Sequence, residues 1–175
     1  MGALQCFLIW INEPRIAGNP EMIIEIEVNN KTTARIDKNF IKKIAEAVFT
    51  AELAEKKIKE AEVSIAFIGS KRMKEVNLAY RKIDSSTDIL SFCEEDFLDR
   101  LKKGALVGGE FLGEMVIDIN QVKKNAKAAK KKIKEELAWV VIHGALHLLG
   151  YDHEKGEAAA LEMRQKEEVY LSKLL

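Results

Sequence analysis

His143-Gly144-Ala145-Leu146-His147-Leu148-Leu149-Gly150-Tyr151-Asp152-His153 is the stretch on which the reading of this chain turns, because it fixes a helix end and a site together. Residues four apart lie one turn apart on the same helix face, so His143 and His147 can converge on a single ion. Gly150 can take the left-handed conformation that stops a helix, after which the chain doubles back. His153 then approaches from the opposite side as a third ligand. These are the only 3 histidines among 175 residues. Three neutral imidazoles with one position left open form the donor set of catalytic zinc, whereas structural zinc sites are closed by four protein ligands. Imidazole also suits nickel, copper or iron, so the residues specify a metal site more firmly than they specify the metal. Any one of these histidines alone reads as a core side chain; three at this spacing do not.

The frame His-x-x-x-His-x-x-Gly-x-x-His is shared with the metzincin proteases, which carry a glutamate after the first histidine as general base. Here that position is Gly144, which can accept no proton, so a peptidase of that kind is disfavoured. Asp152 and Glu154 flank His153, and Asp152 reads as a support that orients an imidazole.

Working outward, Gln121 to Leu149 keeps an unbroken helical pattern through Val122, Ala126, Ala129, Ile133, Leu137 and Val140. Its length suggests two helices meeting near Lys131. A last helix over about 156–173 carries Ala159, Met163, Lys166, Val169 and Tyr170. Upstream, Ile23–Val28 alternates as a half-buried strand should, and Asn29-Asn30 signals a turn. Asp37 caps a helix over about 38–57 with Phe40, Ile41, Ile44, Val48 and Leu53 on one stripe. Val63–Ile68 is a second strand, and residues 71–81 form a short helix bearing Met73, Val76 and Leu78. Asp88–Cys93 and Phe111–Ile119 are two more strands, with 94–110 between them read as a surface loop. The order strand-helix-strand-helix-strand-strand-helices predicts an α+β fold, a small mixed sheet with helices packed against it.

The chain has 28 basic and 28 acidic residues, a net charge of zero, with 47% hydrophobic and 32% charged residues. That composition is globular and excludes a uniformly basic nucleic-acid glove while leaving room for a local basic patch. Lys123, Lys127, Lys130 and Lys134 would share a face of the long helix, either as a track for phosphates or as a solvated charge run. Residues 1–21 hold both prolines and read as an irregular N-terminal extension, with 22–175 as a single domain. Cys6–Ile11 is far too short for a membrane span, which needs roughly 20 apolar residues. Two cysteines make no disulfide framework, so the expected compartment is the cytoplasm. Cys93, ending its strand, reads as a small buried hydrophobe in preference to a fourth ligand.

The 143–153 stretch resembles the signature of the YbeY family. Two further blocks agree: Val76-Asn-Leu-Ala-Tyr-Arg81 with Ser86-Thr-Asp-Ile-Leu-Ser-Phe92, and Leu112-Gly-Glu-Met-Val-Ile-Asp118. The resemblance spans about 62–170. It departs at Cys93, where the family usually has proline, at Glu114 in place of aspartate, and at Asp118 in place of a small residue. It implies a mixed four-stranded sheet, with one zinc ion on His143, His147 and His153. The implied activity is metal-dependent cleavage of single-stranded RNA in 16S rRNA 3′-end maturation and ribosome quality control. The ribosome and its small-subunit assembly components would be the partners, with no membrane.

Arg81 taken alone reads as a surface ion pair. The resemblance aligns it with an arginine that faces the metal cleft, where its planar fork would clamp a phosphate as the catalytic cation. The remaining alternative is a non-catalytic ribosome-assembly factor whose metal only holds the fold.

Overall fold

The computed structural model describes residues 22–56, 58–106 and 109–175; the expectations for the segment 1–21 and for Cys6 lie outside them. Four strands form one mixed sheet: β1 (Ile23–Asn30), β2 (Glu60–Phe67), β3 (Ile89–Cys93) and β4 (Gly109–Ile117). Their order is β1-β2-β4-β3, with β1, β2 and β4 parallel and β3 antiparallel to β4. Between and after them run α1 (Lys38–Leu53), α2 (Ser70–Arg81), α3 (Glu95–Lys103), α4 (Ile119–Ala128), α5 (Ile133–Leu148) and α6 (Glu157–Leu174). The α+β mixed sheet expected from the sequence is what the chain forms.

The alternation of β2 explains the layering. Ala61, Val63, Ile65 and Phe67 are buried and enter the main core with α1 and α5, while Glu60, Glu62 and Ser64 point the other way. Asp37 accepts a 3.0 Å hydrogen bond from Phe40 N–H and caps α1 as predicted. Helix α2 lies on the opposite face of the sheet, where Met73 meets Leu90 and Val116 in a small separate cluster. Leu78, expected on that buried stripe, is exposed.

Three other expectations change. The 94–110 segment is not simply a loop, because α3 occupies most of it. Phe97 is fully buried, Arg100 bonds Glu110 at 2.6 Å, and Gly104 ends the helix in the left-handed conformation. The long helix does break near Lys131, as expected. Lys130 sits at φ 56, which turns the chain between α4 and α5 and leaves Ile133 exposed. The shared lysine face is therefore split: Lys134 lies 4.5 Å from the Phe40 ring centroid, and Lys131 and Lys132 pair with Glu136 and Glu135. Cys93 is exposed, neither a buried hydrophobe nor part of the histidine cluster.

One irregularity in the sheet brings α5 close. Glu62 pairs with Phe111 and Val63 with Gly113, so Leu112 is the extra residue of a bulge. Gly113 has φ 134, and a Cβ there would lie 2.2 Å from the Phe92 carbonyl and 2.9 Å from Leu148. Backbone strain and overlap each cost roughly 1–3 kcal/mol, so Gly113→Ala should lose about 3 kcal/mol of stability. Urea unfolding measures this; a variant within 0.5 kcal/mol (about the spread of a neutral surface change) would show that the bulge is not a constraint.

Candidate metal centre

Helix α5 packs on α1, α4, α6, β3 and β4, and 10 of its 16 residues are buried. Only one narrow stripe after its first turn is partly open, Trp139, His143 and His147, spaced by four and ending at Gly150. Gly144, next to the first histidine, faces the sheet. A Cβ there would lie 2.4 Å from Ile89 and 2.6 Å from Met115, and Ser91 Oγ donates to the Gly144 carbonyl at 3.3 Å. The absence of a side chain at 144 is thus a packing requirement, on a face turned away from the open stripe.

Gly150 terminates α5 as the sequence predicts, at φ 89. Its N–H donates to the His147 carbonyl at 2.9 Å, and Tyr151 N–H donates to the Leu146 carbonyl at 3.1 Å. A single 3-10 turn, His153–Lys155, follows. Asp152 Oδ1 accepts from Glu154 N–H at 2.9 Å, and Asp152 Oδ2 stands 3.5 Å from Lys155. Asp152 therefore supports His153 by fixing its turn, through the backbone. The Glu154 amide bond, with Lys155 close by, holds the Asp152 carboxyl below its ordinary value.

The result is convergence. One ring nitrogen from each of His143, His147 and His153 lies within 4.8 Å of the others, the only such group of His, Cys, Asp or Glu found among the described residues. His143 Nε2 and His147 Nε2 are 3.1 Å apart. Burial, with the neighbouring imidazoles, pushes His147 down to about 4, so its ring is neutral near pH 7 with a lone pair free for a ligand. An all-imidazole donor set of this size fits a divalent transition-metal ion.

Sequence reasoning missed the carboxylate behind the site. Glu167 Oε1 lies 2.6 Å from His143 Nδ1, and its Oε2 accepts from Trp139 Nε1 at 3.0 Å. Burial raises the Glu167 pKa, but the His143 and Trp139 contacts outweigh it and leave the group below the usual carboxylate range. With Nδ1 turned to Glu167, Nε2 of His143 is the nitrogen offered to the site. The signal was present in α6: Met163 and Glu167 are its buried pair, whereas Val169, assigned to the stripe, is exposed. A carboxylate at a core position of a helix is costly unless partnered.

A second anchor ties the site to α1. Glu52 accepts from Tyr151 Oη at 2.7 Å, from Tyr170 Oη at 2.6 Å and from Lys166 Nζ at 2.8 Å. Burial pushes Glu52 up, yet the three donors prevail and hold it below 4.5. Burial and the same carboxylate push Tyr151 up to about 12. This network fastens the turn before His153 and the helix bearing Glu167 to one point.

Arg81 closes α2, after which Lys82 turns left-handed at φ 62 and Asn77 Nδ2 holds the Ser85 carbonyl at 2.8 Å. Its guanidinium reaches Glu154 Oε1 at 2.6 Å, with Arg81 and Glu154 side chains 51% and 61% exposed. The arginine from α2 thus stands beside the turn that carries His153, accessible to a ligand. The departures from the resemblance have local roles. Glu114 accepts from Ser64 at 3.3 Å, and buried Asp118 caps α4 while accepting from Ser86 at 2.8 Å.

A mixed four-stranded sheet packed by helices, with three histidines of α5 and the following turn converging as a candidate metal site, defines the class as an α+β protein. Comparison with known proteins sharpens that class. The family model described as Endoribonuclease YbeY matches residues 25–175, extending the resemblance over β1 and α1. A Thermodesulfovibrio yellowstonii protein named Endoribonuclease YbeY is 38% identical, covering 87% of this chain and 99% of its own. One of the same name from Caldanaerobacter subterraneus subsp. tengcongensis is 32% identical over 86% and 98%. The solution structure of a Thermotoga maritima protein matches with a TM-score of 0.56 at 27% identity, covering 85% of this chain and 88% of that one. The chain belongs to the YbeY family of endoribonucleases. Among the described residues, no helix is long and apolar enough to cross a membrane.

Two outcomes follow from the anchors. Glu167→Gln should weaken divalent-metal affinity by about 10–100-fold, the usual cost of losing a carboxylate behind a ligating imidazole. Competition with a chromogenic chelator reads it, and unchanged affinity would leave Glu167 with a packing role only. Glu52→Gln should cost about 2–3 kcal/mol at pH 7, as for other partly buried ion pairs. Because Glu52 is depressed in the folded state, its contribution is complete above 4.5 and fades as pH falls through its folded value. Urea titrations of wild type and variant should therefore converge below pH 4.5; a gap that instead widens there would contradict the assignment.

Proposed function

We propose that this protein is a zinc-dependent, single-strand endoribonuclease of the cytoplasm, acting in 16S rRNA 3′-end maturation and ribosome quality control with small-subunit assembly components. Residues 22–175 are its one catalytic domain. The observation that carries the catalytic part is the Arg81–Glu154 contact. It brings the Arg81 guanidinium from α2 to the turn of the third histidine, which supports a role for it in holding a phosphate. Family membership supports RNA as the substrate.

His143, His147 and His153 would hold the ion through one ring nitrogen each. When bound, zinc supplies Lewis acidity at a phosphoryl oxygen and eases the deprotonation of water. The chain's own residues do the rest. Glu167 keeps the His143 ring oriented, with its Nδ1 occupied. The Arg81 guanidinium carries five N–H donors, and one of its nitrogens serves Glu154. The other donors are open to the non-bridging oxygens of a phosphodiester, and a bound phosphate completes or replaces the Glu154 contact. A cation there offsets the charge that gathers on the phosphorane oxygens, which is where electrostatic stabilisation acts. Gly144 presents no competing base.

The test is cleavage of a single-stranded RNA oligonucleotide by the purified full chain. Chelation should abolish turnover and added zinc restore it. Arg81→Ala should lower kcat/KM by about 100-fold or more while metal content stays unchanged, as for other transition-state cations. Cleavage that survives both treatments would overturn the proposal.

A further inference from the structure

A nuclease that selects unpaired RNA needs a surface that recognises what pairing hides, the face of a base. Aromatic rings do this without regard to sequence, because every base has a π-face. Four aromatic residues stand near the site, and three are already engaged. Trp139 gives its N–H to Glu167 and lies with its ring centroid 5.0 Å from that of His143. Tyr151 gives its hydroxyl to Glu52, and Lys166 Nζ sits 5.0 Å from its ring centroid. Phe92 is half-buried on β3.

Tyr80 differs. It is 70% exposed on α2, directly before Arg81. Its ring meets that of Phe92 at 4.9 Å between centroids and 66° between planes, an edge-type contact that braces a ring still largely exposed. Ser91 turns its side chain to α5, so Phe92, its neighbour in the strand, points to the α2 side. Tyr80 is thus held at the edge of the sheet around which Arg81 reaches the His153 turn. Tyr80 and Arg81 are consecutive in the last turn of α2, so a strand whose phosphate meets Arg81 passes close to Tyr80.

We propose that Tyr80, braced by Phe92, is the base-stacking platform of the substrate site and takes an unpaired nucleobase next to the phosphate held by Arg81. The inference rests on the nuclease reading above and deepens it. A base inside a duplex already has both faces covered by its neighbours, so only single-stranded RNA can fill this platform. Tyr80 would then help set strand selection, as a positioning residue outside the chemistry itself. Its hydroxyl is dispensable to that role.

The experiment uses the metal-loaded full chain and a single-stranded RNA substrate, intact or with one abasic nucleotide placed at successive positions around the cleavage site. Tyr80→Ala should raise KM by about 10–100-fold with kcat nearly unchanged, the loss expected for one stacked base. Tyr80→Phe should behave as wild type. One abasic position should raise the wild-type KM to the same extent and add nothing in Tyr80→Ala. A KM indifferent to Tyr80→Ala, or abasic costs equal in both proteins, would overturn the platform and leave the nuclease reading standing. A wild-type chain that cleaves no RNA would overturn both. Since Tyr80 is exposed, its removal does not threaten the core.

Discussion

Everything at the site depends on how completely α5 is enclosed. With the sheet on one side and α1, α4 and α6 around it, a helix of this kind can present polar chemistry only along the stripe left uncovered. That stripe is Trp139, His143 and His147. The Gly113 bulge and the bare Gly144 let the helix lie against the sheet, and Gly150 then returns the chain so that His153 meets the stripe. Two carboxylates, one buried and one half-buried, finish the arrangement: Glu167 holds one imidazole, and Glu52 ties the returning turn and α6 to α1. Neither carboxylate is tolerable in that position unpartnered, so each also fixes the elements that supply its donors.

The enclosure has a functional consequence. Where α2 ends and the 3-10 turn begins, beside His153, Arg81 and Glu154 form an exposed pair. A surface pair of this kind contributes little to stability, commonly under about 1 kcal/mol. Its arginine can therefore exchange partners at small cost, as the proposed phosphate clamp requires. The overall charge of zero, 28 basic against 28 acidic residues, leaves any positive site to be a local one. The lysines of residues 123–134, divided by the break at Lys130, do not form one track.

Much of this was legible in the sequence, for identifiable reasons. Residues whose roles are local could be read from spacing: His143 and His147 on one face, Gly150 as a stop, Asp37 as a cap, alternation in β2. The break near Lys131 was legible from length. Contacts between distant elements were not. Glu167 and Glu52 act across α5–α6 and α1–α6, and no spacing rule connects them to the histidines. The α3 helix shows in the sequence only as a helical turn over Phe97–Lys103 within a loop, because its short charged segment has a single deeply buried anchor, Phe97. Cys93, Leu78 and Val169 were misplaced because a hydrophobic type at an element's edge does not reveal which side the fold covers. Arg81 was a surface ion pair by its residue type, and the structure shows one; only its partner's place beside His153 and the family resemblance give it a role.

The most direct test is a crystal structure of the full chain with a divalent ion and a non-cleavable single-stranded RNA. The account predicts an ion held by His143, His147 and His153 with one position open to the RNA, and a phosphate oxygen bonded to the Arg81 guanidinium. An ion closed by four protein ligands, or RNA bound away from Arg81, would contradict it.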